Sequence, residues 1–158
     1  MLAEPLDDEM TTIADEIHDK ALPKLVERLR LERQALADRH ETLSCGCAQL
    51  GIAELLPQLE ALCQQLVDYV ALGHFEVYQL MRSCPGRGLP ACASTRALLE
   101  EIEAALADTA QAAVDFNDRY GGEHTCSFER LAADLARLGA TLAARTALEE
   151  RLFAACTA

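Results

Sequence analysis

The chain has 158 residues, about half of them hydrophobic, with 4% aromatics and no tryptophan. That length suits a single domain, residues 1–158, whose core rests on leucine and alanine. The formal net charge of −12, from 26 acidic against 14 basic residues, argues against direct nucleic-acid binding, because such a surface repels phosphate.

The same acidity suits a basic protein partner, or simply solubility. Seven cysteines, an odd number, without paired C-x-x-C knuckles, suit small buried thiols in a reducing compartment. No stretch of 18 apolar residues is free of charges, and "MLAEPLDDEM" lacks the basic start of a signal peptide. A soluble, cytoplasmic protein with no membrane segment is expected.

In chain order, Pro5 followed by "LDDEMTTIADEIHDKAL" opens a first, short amphipathic helix with acids in its first turn, as the helix dipole favours. Pro23 then starts a second helix, "PKLVERLRLERQALADRHETL", or kinks a continuous one. "SCGCAQLG" breaks the pattern around Gly46 and Gly51. A long third helix follows over about residues 52–83, with Pro57 tolerated near its start. "CPGRGLPAC" is a loop, and Ser94 or Thr95 is placed to cap a fourth helix, "TRALLEEIEAALADTAQAAVDFNDRY". "GGEHT" ends it, and a fifth helix runs from about residue 127 to the C-terminus. The predicted fold class is all-α: an antiparallel up-down four-helix bundle with a short additional N-terminal helix.

The third helix carries the most specific chemistry. At 100° per residue, Cys63, Leu66, Val67, Val70, His74, Val77 and Met81 share one face. His74 is therefore expected among aliphatic neighbours, as a core histidine bonded to another helix, or else as a metal or proton ligand. Gln64, Asp68, Leu72, Phe75 and Gln79 cluster on another face. An acid beside apolar side chains there either docks onto another protein or is covered by the bundle itself. Gly73 costs about 1 kcal/mol inside a helix relative to alanine, which points to a close approach by a neighbouring backbone or a bend that aims Phe75.

Other chemistry is thin. His40, Cys45 and Cys47 lack the doubled spacing of a zinc site. Residue 78 after His74 is tyrosine and residue 22 after His18 is leucine, so the di-iron motifs of helical bundles are missing. Spacing supports no Ser-His-Asp or Cys-His arrangement. Neither enzymatic activity nor a cofactor or metal is expected.

The run "CQQLVDYVALGHFEVYQLM" resembles the Rsd/AlgQ family of bacterial regulators, whose pattern there is close to C-Q-x-L-V-D-Y-x-x-x-G-H-F-x-x-Y. Cys63, Gln64, Leu66, Val67, Asp68, Tyr69, Gly73, His74, Phe75 and Tyr78 supply it without a gap. "KLVERLRLERQAL" is similar to a second family segment at Lys24, Leu25, Val26, Arg28, Arg33 and Leu36. "LGATLAARTALEERL" is similar to a third at Gly139, Leu142, Arg145, Leu148, Glu149 and Leu152. The chain departs from the pattern where Arg28-Leu29-Arg30 replaces a tryptophan, where Arg39-His40 replaces an aromatic pair, and over residues 44–51.

The resemblance implies a non-enzymatic helical bundle that binds region 4 of the primary sigma factor of RNA polymerase. By blocking recognition of the promoter −35 element, such a protein favours alternative sigma factors, typically in stationary phase. It also implies that Asp68 belongs to the sigma-contacting surface. Two alternatives stand beside it: a metal- or ligand-binding bundle using His74 with His40, Cys45 or Cys47, and the same scaffold binding another regulatory protein, such as a signalling or phosphotransfer protein.

Overall fold

A computed structural model describes residues 4–82, 93–121 and 127–157. Every regular element among them is helical: α1 (Glu4–Gly46), a short 3-10 turn (Cys47–Gln49), α2 (Ile52–Leu72), a π turn (Gly73–Val77), α3 (Tyr78–Arg82), α4 (Ala93–Tyr120) and α5 (Leu131–Thr157). The π turn joins α2 and α3 into one rod. The protein is thus an all-α bundle of four long helical rods.

One spacing organises the interior. The leucines of α1 at positions 22, 29, 36 and 43 are buried seven residues apart, with Val26, Arg33 and His40 half-buried between them. Alternating steps of four and three recur in α2 (Leu55, Leu59, Leu62, Leu66, Tyr69, Gly73) and in α4 (Ile102, Leu106, Thr109, Ala113, Phe116, Tyr120). They recur again in α5, at Leu131, Leu135, Leu138, Leu142, Arg145, Glu149 and Leu152. A repeat of 3.5 residues is the seam of coiled-coil-like packing, which lets long helices lie nearly parallel and interdigitate.

Side-chain pairs fix the directions. Arg39 of α1 bonds Gln65 of α2, while Arg28 reaches Glu76. Arg30 pairs with Glu150 of α5, while His40 meets the Leu135 carbonyl. Arg145 meets Thr109 of α4, while Arg119 pairs with Asp134. In each case the partner number falls as the first rises, so α1 runs antiparallel to α2 and α5, and α4 antiparallel to α5.

The structure corrects several expectations. There is no separate N-terminal helix: α1 passes through Pro23 without a break. Proline deletes one backbone hydrogen bond, but Leu22 and Leu29 on either side are both held in the core, and that packing carries the helix across the gap. α4 begins at Ala93, so Ser94 and Thr95 lie within its first turn; capping by their side chains lies outside the described residues, as do loop residues 84–92 and 122–125. α5 starts at Leu131 rather than near 127, after a turn in which the Glu129 N–H bonds the Ser127 hydroxyl at 3.3 Å.

A further correction concerns His74. It is exposed, with its ring edge-on to Phe75 at 4.8 Å between centroids. The cause is the π turn, in which the Tyr78 N–H bonds the Gly73 carbonyl five residues back. The extra residue rotates the face of the rod by about 100°. A straight wheel drawn through Val77 and Met81 therefore misplaces His74 and also Val67, which is 44% exposed, while Cys63 and Leu66 are buried as expected.

Gly73 is needed because a Cβ there would stand 3.0 Å from both Cζ and Oη of Tyr78. The close approach comes from a ring on the same rod, not from a neighbouring backbone. Tyr78 is 4% exposed and bonded to Arg145, so it has nowhere to retreat. Gly73→Ala is expected to lower stability by about 1–3 kcal/mol from overpacking, outweighing the ~1 kcal/mol of helix propensity that alanine offers. Urea unfolding followed by circular dichroism checks this; a stabilised variant would show that the contact is soft.

Candidate binding face and its ionic support

The seam spacing places four polar side chains where leucine would serve: Tyr69, Thr109, Arg145 and Glu149. Arg145 and Glu149 are 2% and 0% exposed, one turn apart on α5, with Arg145 Nε 3.2 Å from Glu149 Oε1. The guanidinium donates from Nη1 to the Thr109 hydroxyl at 2.9 Å and to the Leu106 carbonyl at 3.2 Å, and from Nη2 to the Tyr78 hydroxyl at 3.2 Å. It also lies over both tyrosine rings, 5.3 Å from the centroid of Tyr69 and 5.8 Å from that of Tyr78, within cation–π range. The Tyr69 hydroxyl donates to Glu149 Oε1. From α1, Arg33 brings a second positive charge to 3.6 Å from Glu149 Oε2.

Burial pushes the Glu149 carboxyl up from its ordinary range, against the Tyr69 hydrogen bond and the charges of Arg145 and Arg33, which pull it down. Burial also raises both tyrosines, and the neighbouring Glu149 charge adds to it. Next along α5, Glu150 is gripped by Arg30 through Nε and Nη2 (3.0 and 2.8 Å) and by Arg33 Nη2 (2.7 Å). The Arg30 bond, more than anything else, holds its carboxyl down at about 2. A smaller polar knot closes the other end of α5, where the Tyr120 hydroxyl and Arg119 both donate to Asp134 Oδ2. Tyr120 is pushed up to about 12, chiefly by burial.

On the outside of the α2–α3 rod, Asp68 is exposed and accepts a 3.0 Å hydrogen bond from Gln64, one turn earlier. Phe75 is 65% exposed, on the side of the rod opposite buried Leu66. Leu72 differs from expectation: it is 5% exposed, turned toward α1, and its side chain belongs to the core. It floors a shallow depression of about 350 Å³ bounded by Arg28, Glu32, Asp68, Ala71, Phe75 and Glu76. Gln79 is exposed but does not line that depression. The face that the structure assembles is therefore Asp68 and Phe75, with Gln64 orienting the carboxylate. Three acids stand around it against one arginine, Arg28, itself 3.5 Å from Glu32.

Arg33, Tyr69, Tyr78, Arg145 and Glu149 entered the sequence reading only as matched motif positions; their convergence on one point was missed. The four-three spacing carried the signal, because it sets Arg33, Tyr69, Arg145 and Glu149 in line with the leucines. Tyr78 gave none, since only the π turn brings it round. His40 also occupies a seam position: its Nε2 lies 2.6 Å from the Leu135 carbonyl. Gly139 makes room for its ring, since a Cβ there would come within 2.7 Å of His40 Cε1. Among the described residues no group of three or more His, Cys, Asp or Glu is placed to hold a metal, so His74 is not brought together with His40, Cys45 and Cys47.

These features define the class: an acidic all-α bundle with a charged clasp at its centre and an acid-and-phenylalanine face outside. The profile of the family described as "Regulator of RNA polymerase sigma(70) subunit, Rsd/AlgQ" matches residues 9–157, and the chain belongs to that family. Similar proteins include the regulators of sigma D of Yersinia pseudotuberculosis serotype O:1b (strain IP 31758), 31% identical over 132 residues, and of Yersinia enterocolitica serotype O:8 / biotype 1B, 31% identical over 136 residues. That of Yersinia pestis is 30% identical over 132 residues; in all three, 75% of each chain is covered. No solved structure matches the chain significantly. Among the described residues, no helix is long and apolar enough to cross a membrane.

Two predictions concern the clasp. Arg145→Met alone leaves Glu149 buried with too little compensation and is expected to cost about 3–5 kcal/mol, whereas the Arg145→Met/Glu149→Leu pair recovers most of that loss. Denaturant titration of both single variants and the double variant gives the coupling; strict additivity would show that the pair does not act as a unit. The second concerns alkali. All three tyrosines of the chain have raised folded-state values, so their stabilising contribution is complete below about pH 10, the unfolded value. It is lost as pH climbs beyond that. Phenolate absorbance is expected to stay silent through pH 10 and then rise together with loss of helix. Titration of any tyrosine near pH 10 with helicity intact would contradict the buried placement.

Proposed function

We propose that this protein is a stoichiometric, non-enzymatic regulator that binds region 4 of the primary sigma factor and so keeps it from the promoter −35 element. Its membership of a family of sigma(70) regulators supports the reading. The carrying observation is the exposed Asp68 carboxylate beside the 65%-exposed Phe75 ring on one rigid rod. A large aromatic anchor next to a charge is the composition of an interface hot spot. Region 4 reads DNA and must present positive charge to do so, while this chain carries −12. Long-range attraction then speeds encounter, and the contact pair sets orientation.

Gln64 contributes by holding the carboxylate in one rotamer. Gln79 is exposed beyond the π turn and would contribute only at the margin of the contact, outside the depression. Leu72 acts beneath the surface, fixing the floor on which Phe75 stands. The whole chain serves as one binding module in the cytoplasm.

Calorimetry of the purified protein with region 4 tests this. One-to-one binding that weakens as salt rises is expected. Asp68→Arg and Phe75→Ala are each expected to reduce affinity by about tenfold or more while leaving helicity unchanged, since both side chains lie outside the core. Absence of binding, or binding indifferent to both substitutions, would refute the assignment.

A further inference from the structure

A second surface lies on the opposite flank of the α2–α3 rod. Between it and α4 runs an open groove of about 600 Å³, lined by Leu66, Val70, Leu106, Ala110 and Ala113, among others. Val67 on one wall and Val114 on the other are 44% and 47% exposed, and Phe75 forms the ridge between this groove and the Asp68 depression. Arg145 touches the floor, but its guanidinium is already taken up by Thr109, Leu106, Tyr78 and Glu149. The groove is therefore an apolar trough rather than an anion site.

Its shape selects the occupant. The lining residues run from 66 to 78 on one side and from 103 to 117 on the other, a length of about 20 Å at 1.5 Å per residue, or roughly four turns of helix. Alanines at 107, 110 and 113 keep the α4 side low, so a helix backbone can lie close. Among the described residues, its border carries several carboxylates. Glu103 lines the groove; Glu100 is exposed one turn before it; Asp118 is exposed just past Asn117; and Glu60 is exposed two turns before Val67 on the same side of α2.

We infer that the α2/α4 groove is a docking site for an amphipathic partner helix that sets an apolar stripe against Val67, Val70, Ala110 and Val114 and flanks it with lysine or arginine. The acidic border selects that charge and disfavours a second copy of this chain, which carries the same −12. The inference is independent of the Asp68 face, with which it shares only the Phe75 ridge and Ala71.

The test uses the full chain and a 15-residue helical peptide of leucine and lysine in amphipathic order, with a scrambled peptide of identical composition as control. Amide chemical shifts are expected to move saturably at Val67, Val70, Ala110 and Val114. Filling the trough with Ala110→Trp, or reversing the exposed border with Glu100→Lys/Asp118→Lys, is expected to weaken binding at least tenfold. The border variant alters only exposed side chains, so it reports even if the tryptophan variant misfolds. No saturable binding, equal binding of the scrambled peptide, or shifts spread over the acidic surface would overturn the inference. So would sedimentation showing a dimer closed over the groove, or native mass spectrometry showing a tightly held apolar small molecule in it.

Discussion

The buried Arg145–Glu149 pair governs the rest of the structure. Removing two charges from water costs several kcal/mol each, and their mutual attraction offsets this only when the remaining donors and acceptors also find partners. Here hydrogen bonds come from Tyr69 and Tyr78 on the α2–α3 rod and from Thr109 and the Leu106 carbonyl on α4, while Arg145 Nε and Glu149 Oε2 make no hydrogen bond and are met by ion-pair contacts alone, with each other's side chain and with Arg33 of α1. Leucine seams repeating every seven residues would tolerate one helix sliding past another by a heptad. The clasp does not tolerate it, because a shifted register strands a charge in an apolar layer. Its main contribution is to specify one alignment, as a single buried polar residue does in a coiled coil.

The π turn follows from the same requirement. In an unbroken α-helix, Tyr69 and Tyr78 are nine residues apart and point about 180° away from each other. Absorbing one extra residue brings them to within about 80°, so both rings flank one guanidinium. Gly73 is the position where the returning Tyr78 ring crosses the backbone. His74 and Phe75 lie within the same turn and face outward. The exposed Phe75 and the clasp's Tyr78 thus share a single turn of backbone.

Much of this was legible in the sequence, and the parts that were not share a cause. Helix content, the breaks near Gly46 and Gly121 and the exposure of Asp68 and Phe75 follow from local composition and period. The continuity of α1 through Pro23 did not, because tertiary packing overrode a local breaker. His74 was assigned the wrong side because a wheel of constant pitch was carried across a turn of different pitch; Leu72, on the regular helix about 60° from Tyr69, is buried beside that seam. The clasp was hidden because Arg33, Arg145 and Glu149 read as solvent-exposed charges in isolation. They become core residues only when counted in register with the leucines around them.

The departures from the family's pattern fall where this architecture leaves freedom. Of Arg28-Leu29-Arg30, Leu29 is fully buried, Arg30 pairs with Glu150 and lies 5.2 Å from the centre of the Phe153 ring, and only Arg28 borders the Asp68 depression. The stretch that lacks the family's tryptophan therefore still meets its structural duties through Leu29 and Arg30. Its change is expressed at the surface, as a cation beside Glu32, Asp68 and Glu76. That cation partly neutralises the depression at short range while the chain's excess of negative charge persists at long range. An interior fixed by one clasp permits such drift outside it, since Arg28 reaches the neighbouring rod only through an exposed 3.9 Å contact with Glu76 and Phe75 lies outside the core.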